Sequence, residues 1–210
     1  MPEGFVEPKE AQLDKGPRVL DFERRAKLAS WWLPSDRQSA RTPNFDIVST
    51  CTVDGAPGLL LIEAKAHAEE LGKEEAGRRL DTDASDERKA SHVTIGAAIQ
   101  SAATGFGQCM GGSCGISRDP HYQMSNRFAW AWKLTELGVP VVMLYLGFLK
   151  AHDMSKHGEV PFADGDAWET LVRLHSAPLF SGNIWNNRWL VNGVPLIPLI
   201  KSLELPLDQR

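Results

Sequence analysis

The 210-residue chain contains three cysteines, no internal repeat, no low-complexity tract and no apolar run long enough to span a membrane. So few cysteines argue against a disulfide framework and for free thiols in a reducing compartment. Cys51 reads as a small core residue, while Cys109 and Cys114, even with His121 nearby, are one ligand short of a tetrahedral zinc site. Met1 to Gly16 is charged and interrupted by proline, unlike a secretory leader. Residues 1–17 are therefore expected to form a loose arm, and the expected location is the cytoplasm. An excess of positive charge is also lacking, because the formal net charge is -4. A nucleic-acid partner would then need a local basic stripe, for which Arg24, Arg25 and Lys27, with Arg37 and Arg41, are the candidates.

What the chain does have is charge inside an apolar strand. Glu63 and Lys65 lie in the run Gly58-Leu-Leu-Leu-Ile-Glu-Ala-Lys-Ala66, downstream of Asp46 in Asn44-Phe-Asp-Ile-Val48. Stranding one partner of a buried charged pair costs about 3 to 5 kcal/mol, so such a pair points to a use. Alternation along a strand puts Leu59, Leu61, Glu63, Lys65 and His67 on one side. The linker Asp54-Gly-Ala-Pro-Gly58 reads as a hairpin turn. A two-residue turn at Asp54-Gly55 sets Asp46 opposite Glu63, and a four-residue loop sets it opposite Lys65. Either register gathers the three polar residues on one face and Phe45, Ile47, Cys51, Val53, Leu60 and Ile62 on the other.

Two neighbouring carboxylates repel, and a shared proton or a divalent cation resolves the repulsion. Oxygen ligands without adjacent His or Cys favour Mg2+ or Mn2+ over zinc. Such an ion beside a lysine suits phosphodiester chemistry, with Lys65 orienting or deprotonating the nucleophile. At Pro43-Asn44-Phe45-Asp46 and Glu63-Ala64-Lys65 the chain resembles the PD-(D/E)xK nuclease superfamily, although Asp46 does not directly follow a proline. The resemblance implies an α/β, restriction-endonuclease-like core of helix, strand hairpin or meander, helix and strand. It also implies Asp46, Glu63 and the Ala64 carbonyl as metal ligands, Lys65 as catalytic, and nucleic acid, DNA before RNA, as partner. Family members often add a first-helix carboxylate, here Glu23, and a polar residue on the later helix, here Gln123, with Asn126 as a further candidate.

The order of elements read from periodicity agrees with that core. Arg18 to Leu33 is expected to be a helix with Val19, Phe22, Ala26, Ala29 and Leu33 on its apolar stripe and Pro34 at its end. Glu69 to Arg88 reads as a solvated helix and loop, Ser91 to Ala103 as a short amphipathic helix, and Gly105 to Gly115 as a glycine-rich loop. His121 to Leu137 is expected to be a helix, and Val139 to Phe148 a strand apolar enough to be buried on both faces. The core is thus assigned to residues 18–149, with a C-terminal extension over 150–210 that packs on the same domain. In that extension Asp166 to Leu174 reads as a helix and Trp185 to Ile200 as a hairpin turning at Asn192-Gly193, its second strand confined to an edge by Pro195 and Pro198. Trp185 to Trp189 could serve as a base-stacking surface, and seven tryptophans suggest an interface and a homodimer. A rival reading takes Gly111-Gly-Ser-Cys-Gly115 as a nucleophile elbow, with Ser113, Asp153 and His157 as a serine-hydrolase triad. An elbow needs a strand before it and a helix after it, and neither is legible there. The other alternative is a binding module on the same fold without cleavage.

Overall fold

The computed structural model describes residues 11–13, 20–33, 42–154 and 158–204. In chain order the elements are β1 (Ala11–Gln12), α1 (Phe22–Trp32), β2 (Asn44–Phe45), β3 (Ile47–Val53), β4 (Ala56–Lys65), α2 (Ala68–Glu74), α3 (Asp86–Met110), α4 (Tyr122–Glu136), β5 (Val141–Leu149), α5 (Gly165–Ser176), β6 (Trp189–Val191) and β7 (Val194–Glu204). The protein is α/β, with a mixed five-stranded sheet in the order β3-β4-β5-β7-β6. β3 and β4 form an antiparallel hairpin, β4, β5 and β7 run parallel, and β6 returns antiparallel to β7.

The hairpin adopts the shorter of the two expected registers. Val53 pairs with Ala56 and Ile47 with Ile62, so the ladder continues to Asp46 opposite Glu63. Asp54 and Gly55 carry positive φ angles of 51° and 80°, which the two central positions of a type I′ turn require. In β4 the side shared by Leu59, Leu61 and Glu63 is the deeply buried one, continued by Val141, Met143 and Tyr145 on β5 and by Leu196 and Ile200 on β7. The expected division of residues between the faces holds, and the trio's face is the more buried: opposite it Val53 and Ile62 are buried, while Ile47, Cys51 and Leu60 are half-buried.

The described helices gather on that covered face. Gln123 and Arg127 of α4 reach Glu63, Glu74 of α2 reaches Lys65, and Trp168 of α5 fills the space that Gly147 leaves by having no side chain. α3 lies against α4 through Phe106 and Phe128, 5.9 Å between ring centroids, and α1 joins them through Trp32 on Trp130 at 5.5 Å. β5 is correspondingly not buried on both faces as its composition suggests. Val141, Met143 and Tyr145 are fully enclosed, whereas Val142, Leu144 and Leu146 are half-buried.

Three expected elements shift. α1 begins at Phe22 with Asp21 as its N-cap, and its buried positions are Leu28 and Trp32, not the stripe through Phe22 and Ala26. Phe22 is 89% exposed, because burying the Trp31 and Trp32 rings against Trp130 removes more apolar area than Phe22 and Ala26 could. Val19 and Pro34 lie outside the described residues. Second, α3 runs unbroken from Asp86 to Met110, through most of the expected glycine loop. Gly105 belongs in that helix because a Cβ there would come within 2.3 Å of the Trp132 ring, so its cost in helix propensity is offset by close packing. Third, β7 is not an edge strand, since it lies between β5 and β6. Its prolines remain compatible with the ladder: Pro195 precedes the first pair with β5, and Pro198 turns outward past the end of β6. There the Asn186 N–H donates to the Pro198 carbonyl at 2.8 Å. The C-terminal third thus completes the sheet, with α5 and the Asn192-Gly193 turn placed as expected.

Candidate active site

The site forms where the carboxyl end of β4 meets the first half of α4. Asp46 sits at the bend between β2 and β3, half-buried, and its Oδ2 accepts the Ala64 N–H at 2.6 Å. Glu63 is almost wholly enclosed and accepts three hydrogen bonds, each of 2.6 Å. Lys65 Nζ and Gln123 Nε2 donate to Oε1, and Arg127 Nε donates to Oε2. The helical step explains the last two, because residues four apart on α4 project from one face toward the same carboxylate. Arg127 also donates to Asn126 Oδ1 at 2.6 Å and lies over the Phe45 ring, 4.9 Å from its centroid.

Lys65 is held from two sides. Its Nζ is 2.6 Å from Glu63 Oε1 and 2.9 Å from Glu74 Oε1, with all three side chains buried. Behind Glu74 lies His175 of α5, its Nε2 3.6 Å from Glu74 Oε2, and His175 stacks edge-on against His121. Tyr145 is the direct ladder neighbour of Glu63 on β5, and its buried hydroxyl has no hydrogen-bond partner. His67, two residues beyond Lys65, is buried between Glu70 and Glu159 at 3.2 and 3.0 Å from its Nε2.

The two carboxylates of the pair are tuned in opposite directions. Burial, reinforced by the charge of Glu63, pushes the Asp46 carboxyl up to about 6. Burial would raise Glu63 as well, but the charges of Arg127 and Lys65 outweigh it and hold that carboxyl below its ordinary value. For Lys65 burial alone would lower the pKa, and the carboxylates of Glu63 and Glu74 reverse this and raise it. Tyr145 is raised well above the ordinary phenol value by burial and by Glu74 and Glu63. With Asp46 protonated, two anions, Glu63 and Glu74, balance two cations, Lys65 and Arg127. Ionising Asp46 leaves the cluster one charge negative.

No family model, curated protein or solved structure matches this chain. The functional reading therefore stands on the geometry of these residues.

The structure brings Asp46, Glu63, Lys65 and Gln123 together as the sequence suggests, with Asn126 beside them through Arg127. Glu23 does not join them: it is exposed on α1 and pairs with Lys27 at 2.6 Å. Its expected place depended on the apolar stripe of α1, and the tryptophans turn the helix so that Glu23 faces solvent. Of the basic-stripe candidates, three are described, all on α1. Arg24 bonds Asp21 and the Leu137 carbonyl, Arg25 bonds the Leu20 carbonyl, and Lys27 holds Glu23; Arg37 and Arg41 lie outside the described residues. The nucleophile-elbow reading fails on element order. Ser113 follows the C-cap of a helix, Gly111 at φ 63°, where an elbow needs a strand, and Asp153 lies in a short 3-10 turn. His157 lies outside the described residues. The residues missed from sequence are Glu74 and His175. Glu74 stands in the charge-rich stretch Glu69 to Arg88, where one buried acid among many exposed ones leaves no periodic signal. Arg127 shares the Gln123 arc, so its direction was legible but its partner was not.

Proposed function

We propose that this protein is a nuclease that hydrolyses phosphodiester bonds, DNA before RNA, on a restriction-endonuclease-like version of the α/β fold. The observation that carries this reading is the convergence of Asp46, Glu63 and Lys65 on one face of the hairpin, joined by Gln123 from the following helix. Among the described residues no group of three or more His, Cys, Asp or Glu is arranged to hold a metal ion. Two carboxylates and a carbonyl nevertheless fit Mg2+ or Mn2+, because Mg2+ keeps several waters and takes only one or two protein carboxylates. With Asp46 ionised the cluster is one charge negative, and a bound cation would offset that charge. Asp46, Glu63 and the Ala64 carbonyl would hold the ion, which supplies Lewis acidity toward a phosphate oxygen and a more acidic water.

The residues themselves define the remaining roles. Lys65, clasped by two buried carboxylates, stays an ammonium across the working pH range. Its part is to donate a hydrogen bond and offset developing negative charge rather than to remove a proton. Gln123 and Arg127 fix the Glu63 carboxylate so that it need not reorganise. Asp46, titrating near 6, gives activity that rises with pH through that value, as its carboxylate becomes able to bind a cation.

Cleavage of supercoiled plasmid and of single-stranded DNA with Mg2+, Mn2+ or EDTA tests the proposal. Metal-dependent cleavage should fall by about 100-fold or more in Lys65→Ala, the scale of losing one transition-state donor. A specific feature favours a second reading, a binding module without cleavage: Glu63 already accepts from two cations and an amide, which leaves one acceptor position on Oε2. That reading predicts no cleavage by folded protein and DNA binding that ignores EDTA and survives Asp46→Ala.

A further inference from the structure

The sheet has a second face that no described helix covers. Leu60, Val142, Leu144, Leu146, Ile197 and Leu199 are half-buried there, and Ile62, at its centre beside Leu144 and Leu199, is buried among them. At the positions of β3 to β7 that point this way, Lys201 is the one charged side chain among the described residues, and Leu190 and Leu203 at the rim are 54% and 43% exposed. Apolar surface this continuous marks an interaction site. β5 adds an independent indication. Its run Val141 to Leu149 has the composition of a strand covered on both sides, yet the described elements cover one.

We propose that this face binds the same face of a second copy, forming a two-fold dimer by sheet-on-sheet packing. Its size suits that partner. Four long strands spaced about 4.8 Å apart, with seven to nine paired residues at about 3.3 Å each, span roughly 20 by 25 Å. That is about 500 Å2 in plan on each copy and about 1,000 Å2 for two, the lower limit of a specific interface before side-chain relief is added. The chemistry suits it as well. A partner rich in charge would leave its polar groups unpaired on this surface, whereas an identical face offers matching Leu, Ile and Val side chains that can interdigitate at the usual spacing of aligned sheets. The face is isologous by construction, because each copy presents the same patch. Glu63, Lys65 and the helices lie on the opposite side of the sheet, so the two candidate sites would face away from each other, and the dimer holds whether or not the site cleaves nucleic acid.

Sedimentation equilibrium of the full chain from about 0.5 to 50 μM, an interval chosen for an interface of this area, reads the mass directly. The expected result is a shift from monomer toward twice the mass across that range, abolished by Leu144→Lys and by Leu199→Lys. These positions are only partly buried in the single chain, so both variants should keep the wild-type circular dichroism, and two on adjacent strands guard against one misfolding. Wild type that stays monomeric at 50 μM would overturn the proposal. So would a dimer that both folded lysine variants retain, since it would use another surface. A monomer that instead binds neutral phosphatidylcholine vesicles through Leu144 would overturn it in favour of a lipid surface.

Discussion

The two faces of the one sheet are built on opposite terms. The covered face carries Glu63 and Lys65 between layers of Leu, Met and Tyr, with Arg127, Glu74 and His175 brought down onto them by three helices. The open face is nearly uncharged and only partly buried, with Leu190 and Leu203 exposed at its rim. A sheet governed by solubility alone would place charge outward and Leu, Ile and Val inward. On the proposed function and the proposed dimer, the buried charge serves chemistry and the exposed apolar side chains serve association. Substitutions that treat the faces unequally can break that contrast.

The largest effect is expected from Arg127→Leu. Removing the guanidinium leaves Glu63 Oε2 buried without its donor, and breaking one side of a buried pair costs about 3 to 5 kcal/mol, roughly 10 °C or more in Tm for a chain of this length. Adding Glu63→Gln to that variant should recover part of the loss, because the uncompensated charge is gone. The double-mutant cycle, read by urea unfolding, then isolates the coupling. A single variant with near wild-type stability would mean that solvent already reaches Glu63.

A smaller and cleaner contrast uses neighbours in sequence. Leu61 is fully enclosed and Leu60 is half-buried on the open face. Leu61→Ala should cost about 2 to 5 kcal/mol, the range for enclosed leucines, and Leu60→Ala about 1 kcal/mol. The measurement belongs below 1 μM, where association adds little. As concentration rises the Leu60→Ala cost should grow and the Leu61→Ala cost should not. Equal costs at low concentration would remove the distinction between the faces.

How far these faces were legible in the sequence follows from what each depends on. The hairpin was legible to within two registers, because the alternation in β4 leaves few pairings, and the positive φ angles of Asp54 and Gly55 select the shorter. α4 was legible from its period and its Gly138-Pro140 stop. The convergence of Asp46, Glu63 and Lys65 followed from the hairpin, and Gln123 was expected beside them from the family resemblance. α1 was misread because a period locates an apolar stripe but does not rank Trp31 and Trp32 above Phe22 and Ala26. α3 was cut short because glycine is read as a helix breaker, and only the tertiary neighbour, Trp132 against Gly105, shows why it is tolerated. Glu74 was invisible for a further reason. Its role comes from a lysine on another element, and composition carries no trace of such a pairing.

The last contrast lies within the covered face, between a carboxylate that is fully compensated and one that is only partly so. Glu63 bonds two cations and an amide, whereas Asp46 has the Ala64 N–H, the repulsion of Glu63 and a lesser attraction from Lys65 and Arg127. A folded-state pKa of about 6, above the ordinary aspartate value of 3.8, means that the native state favours protonated Asp46. The stabilisation this gives is fully present below pH 4 and lost as pH rises through 6. Above that, the ionised carboxylate costs on the order of 1 to 3 kcal/mol, the lower part of the range reflecting partial exposure. Asp46→Asn keeps an oxygen for the Ala64 N–H and removes the charge, so it should match wild type near pH 4 and exceed it by that amount at pH 8. Millimolar Mg2+ should narrow the gap by stabilising wild type alone, since a ligand of the native state adds about 2.7 kcal/mol at 100 times its Kd. A variant more stable than wild type yet unable to cleave would identify Asp46 as a residue kept at the expense of stability. If the pH 8 gap is absent, or Mg2+ shifts both proteins equally, the strain at Asp46 does not exist and the cation has no reason to bind there.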